Sequence, residues 1–442
     1  MKVALILPKG IFSSRNNELE NFWKESKEMI TYRHLWSGFS PALLVVAALL
    51  PTDCQITLID ENFEDIDFEE RYDLVGITAM TQRANRAYQI ADEFRKKGIK
   101  VILGGIHPTI LPEEAKQHAD AVLIGEAEEI FSNFIRDFLK NSIKSFYKTS
   151  QPVDITRSPL PRYDLLKPEN YNMIWIQTTR GCPIDCEFCA ASKVYGLKFR
   201  HKAVGQVIKE VSLVKRIWNN ALIGFSDDNM FINRKYAKEM LEELAHLNIR
   251  WITQTDISIA GDKRFLRLLR KSGCMMLFIG FESLSENTLK SVDTHGWKSK
   301  FLPEYKFLIR EIQSYGIGVM GAFIVGFDND DVSVFDKIAD FVLENNLYGA
   351  QVTILTPLPG TRLRVRLERE NRLLTTGWDN YTFLDVNFKP AKMSINELLN
   401  GLIETYKKIY NKEVHIKKAK YFKSIFTRLM VKKDTGEIHI VI

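Results

Sequence analysis

The stretch that most restricts this chain is Cys182-Pro183-Ile184-Asp185-Cys186-Glu187-Phe188-Cys189, three thiols at a C-x3-C-x2-C spacing. So compact a loop can aim three thiolates at one metal centre. A disulfide framework is the other common use of clustered cysteine, but it belongs to short secreted chains with an even count. Here there are five cysteines, and Cys54 and Cys274 stand alone as small buried residues. Three thiolates satisfy three irons of a [4Fe–4S] cluster and leave one iron open. Zinc is the alternative, yet a closed zinc site wants four ligands, and the fourth would have to come from a distant residue such as Cys274 or His201.

A chain of 442 residues is too long for one ordinary core, so two or three domains are expected. Apolar runs at 3–7, 55–60, 73–78, 100–103 and 121–124 read as buried strands. Between them lie helical patterns at 82–97, 112–118 and 128–139, and in the first of these Ala84, Ala87, Tyr88, Ala91 and Phe94 recur at spacings of three and four. This alternation predicts a doubly wound parallel sheet over residues 1–140, with any ligand at the carboxyl ends of its strands. The strand ends there are rich in small and hydroxyl residues: Thr78 and Thr81, then Gly104, Gly105 and His107, then Gly125 and Glu126. Small tips let a large ligand approach the backbone, and ordinary turn chemistry explains the same residues. Residues 12–32 form a long charged insertion that can act as a lid, and the aromatic stretch 32–40 reads as a loop entering a helix at Pro41.

Pro152, Pro159, Pro161 and Pro168 mark a linker over 141–173. Strands at 174–178, 221–225, 249–254, 275–281, 318–325 and 350–355, with helices between, then predict a partial (β/α)6 barrel over 174–365, with its chemistry at the strand carboxyl ends. A helical, basic region covers 366–442. Ser394 and Glu397 form a capping-box pattern ahead of a helix. Beyond it, lysines 412, 417, 418, 420, 423, 432 and 433 and Arg428 interleave with Tyr421, Phe422, Ile425, Phe426, Leu429 and Met430. This basic amphipathic helix either packs on the protein or contacts an anionic membrane surface.

A net charge of +6 is modest for this length, and with no RNA-binding module no nucleic-acid partner is expected. The first residues do not form a signal peptide. The longest apolar segment, 42–50, is bracketed by Pro41 and Pro51 and is too short to span a bilayer. A cytoplasmic location is expected, with peripheral contact at the inner membrane surface as its variant.

The C-x3-C-x-aromatic-C loop, with Phe188 at the aromatic position, resembles the radical S-adenosylmethionine superfamily. Gly104-Gly105-Ile106-His107-Pro108-Thr109 and Ile124-Gly125-Glu126-Ala127-Glu128 resemble the cobalamin-binding domain that precedes the barrel in many of its members. The usual D-x-H-x-x-G fingerprint is absent: only His295 has an aspartate two positions before it, and Lys298 stands where glycine belongs. The resemblance implies cluster ligation by Cys182, Cys186 and Cys189. It implies S-adenosylmethionine contacts from Phe188, Asp227, Asp228, Gln254, Glu282 and Gly326. It further implies a cobalamin edge formed by Thr78, Thr81, Gly104, Gly105, His107, Gly125 and Glu126, with no histidine on cobalt or else a degenerate site. Ala322 departs from the expected first glycine of the adenine-side strand. The implied reaction is methyl transfer to an unactivated carbon of a small-molecule or lipid substrate, fed by an electron donor such as flavodoxin or ferredoxin. Radical cyclisation, rearrangement or oxidation, and a non-enzymatic metal- or cobalamin-binding sensor, are the alternatives.

Overall fold

The computed structural model describes residues 1–10, 14–29, 39–293 and 295–434. The insertion at 12–32 is therefore described only over 14–29, and residues 32–38 of the aromatic loop lie outside the described residues, as do the side chains of Lys432 and Lys433.

The chain is α/β throughout its first 354 residues. The first sheet contains β1 (Lys2–Leu7), β2 (Gln55–Asp60), β3 (Leu74–Thr78), β4 (Lys100–Gly104), β5 (Ala121–Ile124) and β6 (Phe146–Lys148). All are parallel in the order β2-β1-β3-β4-β5-β6. Alternate residues feed different cores, as the two-residue strand period requires. Val3, Leu5, Leu7, Ile102 and Leu123 join one apolar cluster, which continues into the second domain. Ala4, Ile6, Val75, Ile77, Val101 and Leu103 join another around Phe94. Strand β6 lies inside the segment expected as linker and carries the sheet to Lys148. Its three residues are too few for an apolar period to register.

The second sheet contains β7 (Met173–Ile176), β10 (Leu222–Phe225), β11 (Arg250–Thr255), β12 (Cys274–Glu282), β13 (Gly318–Val325) and β14 (Gly349–Ile354). These are also parallel, and they lie in sequence order from β7 to β14. Two short strands, β8 (Thr179–Arg180) and β9 (Arg200–His201), pair antiparallel and close the cysteine loop at its base.

The exposed edge of a sheet invites pairing with other chains, and here β14 is covered by the helix Ile395–Ile409. The Tyr410 hydroxyl accepts from Ala350 N at 2.9 Å and donates to Ala350 O at 2.8 Å, while Tyr406 does the same at Val352, 3.2 and 2.9 Å. The expected capping box of Ser394 and Glu397 starts this helix. In the last helix, Lys412–Asp434, the apolar face lies on the barrel: Ile425 and Leu429 are buried, Phe422 packs on Tyr348, and Arg270 lies over Phe426. Lys412, Lys417, Lys420, Lys423 and Arg428 face outward. Among the described residues no helix is long and apolar enough to cross a membrane. The described part of the insertion is fastened as well: Ser14 donates to Asp385 at 2.5 Å, and Trp23 packs edge-on against Tyr406.

Candidate functional site

The cysteine loop leaves the barrel at β8 through Gly181, whose φ of +88° and close approach to the Lys198 carbonyl exclude any side chain. It is held from three sides. Cys182 N reaches Gly196 O at 3.4 Å, and Glu187 N donates to Val292 O at 3.1 Å. From the helix Arg362–Arg369, Arg362 pairs with Asp185, Arg366 Nε donates to Glu187 at 2.6 Å, and Leu363 N donates to Glu187 O at 3.2 Å. These two arginines stand one helical turn apart, on one face. Phe188 packs edge-on against Phe327, with ring centroids 6.2 Å apart.

The three thiols sit in each other's electrostatic field. Burial pushes Cys182 up to about 11, eased by the Ile184 backbone, and Cys186 up to about 12, eased by Lys298. Thiols this reluctant to ionise become thiolates by binding a metal, which displaces the proton. Soft sulfur donors at this spacing suit an iron–sulfur cluster. The two candidates for a fourth zinc ligand each have other partners. Cys274 opens β12, a strand of nine residues, so it lies roughly 25 Å from the carboxyl end where the loop sits. His201 stacks on Tyr236 at 3.9 Å and directs Nδ1 to the Lys202 carbonyl. Among the described residues no three ligand-type side chains gather on a single metal ion. A cluster, by contrast, places each sulfur on its own iron.

Of the residues expected around S-adenosylmethionine, Asp228 and Glu282 lie in the electrostatic field of Cys189. Burial, then Asp227, pushes Asp228 up to about 6. Glu282 has a φ of +62° at a bulge against β13. Gln254 is half-buried in β11. Asp227 requires a correction. It is fully buried and accepts from Thr178 N (2.8 Å), Thr178 Oγ1 (2.6 Å) and Thr179 N (2.6 Å). Its carboxylate ties β10 to the strand leading into the loop and has no exposed face for a ribose. Gly326 is needed for packing: at φ +95° an added Cβ would lie 3.2 Å from Phe388 and from Leu398 of the cap.

The sheet tip is corrected more extensively. The Glu126 carboxylate is engaged within the protein, bound by Arg180 at 2.5 Å and by Arg200 at 2.8 and 2.9 Å. Arg180 also reaches Glu128 at 2.7 Å, and all four side chains are at most 10% exposed. This buried charge cluster joins the tip of β5 to the two strands that flank the cysteine loop. His107 is fully buried, with Nδ1 3.4 Å from the Thr81 hydroxyl and Nε2 3.2 Å from Glu114. Burial lowers its pKa, and the Trp378 ring covers it at 5.1 Å. Both ring nitrogens face protein groups, so neither is directed to a cobalt. Gly105 and Gly125, at φ +97° and +96°, leave no space for a Cβ, which would meet Thr78 and Thr149 of neighbouring segments. Gly104 remains open: among the described residues only Leu123 comes near its missing side chain.

Sequence reasoning did not find Arg83. It follows β3 at the point where strand order reverses between β1 and β3, the usual ligand crevice of such sheets. Its Nε is buried and has no partner among the described residues, and it lies 2.5 Å from where a side chain on Gly10 would begin. An orphaned donor here calls for an acceptor, and cobalamin presents amide and phosphate oxygens. The residues present therefore fit both groups.

Comparison with known proteins adds three domain matches. They are the B12 binding domain over residues 38–135, the Radical SAM superfamily over 176–342, and a Domain of unknown function (DUF4070) over 361–439. The chain is 31% identical over 415 residues to the bacteriochlorophyllide d C-12(1)-methyltransferase of Chlorobaculum tepidum, covering 90% of each chain. It is 29% identical over 388 residues to the bacteriochlorophyllide d C-8(2)-methyltransferase of the same organism, covering 84% of this chain and 85% of the relative. In fold it is similar to the radical S-adenosylmethionine methyltransferase TsrM from Kitasatospora setae, solved with cobalamin and a [4Fe–4S] cluster. The TM-score is 0.67 at 16% identity, covering 84% of this chain and 78% of that one.

Proposed function

The chain belongs to the radical S-adenosylmethionine family with an N-terminal B12-binding domain, and from that premise we propose methyl transfer to an unactivated carbon as its reaction. The observation that carries this reading is the buried charge cluster of Arg180, Arg200, Glu126 and Glu128, which sets the ligand edge of the sheet against the cysteine loop. When bound, the cluster with S-adenosylmethionine supplies a radical able to remove hydrogen from a C–H bond, and cobalamin supplies the methyl group.

The protein's own work is placement. Cys182, Cys186 and Cys189 hold the cluster, and Arg362 and Arg366 fix their loop through Asp185 and Glu187. Asp228, Glu282, Gln254 and Phe188 form the S-adenosylmethionine side of the mouth. Arg83, Thr78, Thr81 and Gly104 form the cobalamin side, roofed by Trp378. The substrate is a small molecule or lipid entering between them. Two relatives act on bacteriochlorophyllide d, which supports a large apolar ring system as the substrate class. The outward basic face of the last helix supports electrostatic contact with an anionic membrane surface, and a flavodoxin or ferredoxin supplies the electron.

The test needs no substrate. Full-length protein loaded with cluster and hydroxocobalamin is reduced and given methyl-labelled S-adenosylmethionine. Label on the bound cobalamin supports the reading. Loaded, reduced cobalamin that stays unlabelled contradicts it.

A further inference from the structure

Between the carboxyl end of β12 and the cysteine loop lies a buried ion pair that no motif marks. Lys298 Nζ stands 2.8 Å from Glu282 Oε1 and 3.3 Å from the Gly280 carbonyl, and the two side chains are only 10% and 12% exposed. The geometry around them is fixed. Lys298 N and His295 N both donate to Asp293, at 2.8 and 3.0 Å, so the turn that delivers the lysine is closed on a buried carboxylate. Glu282 keeps a left-handed backbone, φ +62°, which is unfavourable for a residue with a side chain. Gly280 leaves the space: an added Cβ would meet Glu282 Oε1 at 2.4 Å and Lys298 Nζ at 3.3 Å. Burial disfavours the ammonium, but Glu282 beside it more than restores the proton, so Lys298 is a cation here.

A buried ion pair is weak support for stability, since desolvation offsets much of the attraction. A turn closed on a buried carboxylate, a left-handed backbone and a glycine-made space, all converging on one pair, call for a further role. The neighbours suggest it. The segment that leads to Lys298 touches the cysteine loop, where Glu187 N donates to the Val292 carbonyl at 3.1 Å, and the ammonium lies in the electrostatic field of Cys182 and Cys186. The cluster with three thiolates carries net negative charge, which grows on reduction. A fixed cation in a dry site stabilises the more negative state.

We infer that Lys298 is a positioning residue for the cluster: its ammonium, held by Glu282 and the Gly280 carbonyl on the Cys182 and Cys186 side, sets the cluster's reduction potential. This rests on the cluster assignment to the three cysteines. The experiment is an EPR-monitored redox titration of reconstituted full-length protein, with iron and sulfide measured on each sample. Lys298→Met is expected to keep its iron and titrate at a more negative potential than wild type. Glu282→Gln is expected to shift the potential in the opposite direction, and Lys298→Arg to return it to the wild-type value. A fully loaded Lys298→Met at the wild-type potential overturns the inference, as does a shift of Lys298→Met and Glu282→Gln in the same direction. If Lys298→Met does not load, Glu282→Gln decides: a positive shift supports the inference and an unchanged potential overturns it. Failure of both to load makes the pair structural and overturns it too. A wild type with no reducible cluster would instead remove the cluster assignment itself.

Discussion

The cysteine loop draws its three ligands from residues 182–189, whereas the tip of the sheet domain is assembled from several strand ends and from Trp378, whose bond to Glu114 spans 264 residues of chain. The first is one local segment with remote braces. The second is a non-local assembly whose polar groups answer one another: Glu114 alone accepts from Tyr88 at 2.9 Å, His107 at 3.2 Å and Trp378 at 2.8 Å. A local site concentrates its function in few atoms, so one substitution removes it. A distributed site loses function by degrees, through packing.

The sharpest way to break this contrast is Cys186→Ala. It is expected to abolish the visible absorbance of the cluster after anaerobic reconstitution while cobalamin retention persists. Full iron and sulfide in the variant would contradict the assignment.

Glu126→Gln acts on both regions together, since it leaves Arg180 and Arg200 under-compensated in a buried site. A loss of about 3–5 kcal/mol is expected, read as a lower denaturation midpoint, with cluster and cobalamin contents falling in parallel. A variant that loses only one cofactor would show that the clamp does not couple the regions.

Trp378→Ala removes the roof over His107 and its bond to Glu114. The expected cost is about 2 kcal/mol, with weaker cobalamin retention and unchanged iron, checked by gel filtration of the loaded protein. Equal loss of iron would mean that the sheet tip and the loop are not separable.

The smallest effect lies on the barrel side. Asp330 Oδ2 accepts from Gly326 N and Phe327 N, both at 3.0 Å, and burial pushes its carboxyl up to about 6. The folded chain thus keeps a proton that the unfolded chain releases near pH 4. The contribution of this group to stability therefore falls as pH rises from about 4 to about 6 and stays low above. Asp330→Asn keeps an oxygen for both donors, so it is expected to stabilise the protein at pH 7 by on the order of 1 kcal/mol and to change little at pH 4. Urea midpoints at the two pH values check this.

The same contrast explains what was legible in the sequence. Parallel strands buried on both faces are short apolar runs, so β1 to β5 and the six barrel strands stood out. The cysteine spacing is contained within one loop, and the capping box at Ser394 within four residues. What escaped was held together across the chain. Lys298 follows Glu282 by 16 residues, through a turn with no motif of its own. Arg362 reaches back 177 residues to Asp185. Glu126 carried a ligand-like position, but its charge is answered by Arg180 and Arg200. That two arginines flank the cysteine loop was a signal, and a buried acidic partner was its natural complement. Gly105, Gly125 and Gly326 show why a glycine at a strand end is ambiguous in sequence: left-handed backbone and close chain packing require it with or without a ligand.

The central claim is that one chain holds a cluster and a cobalamin edge against each other. Its most direct test is reconstitution of the wild type with iron, sulfide and hydroxocobalamin, reading both contents on the same sample. The account predicts about four irons and about four sulfides per chain, together with cobalamin that survives gel filtration. Stoichiometric zinc without sulfide, or a complete cluster with cobalamin lost on the column, would contradict it.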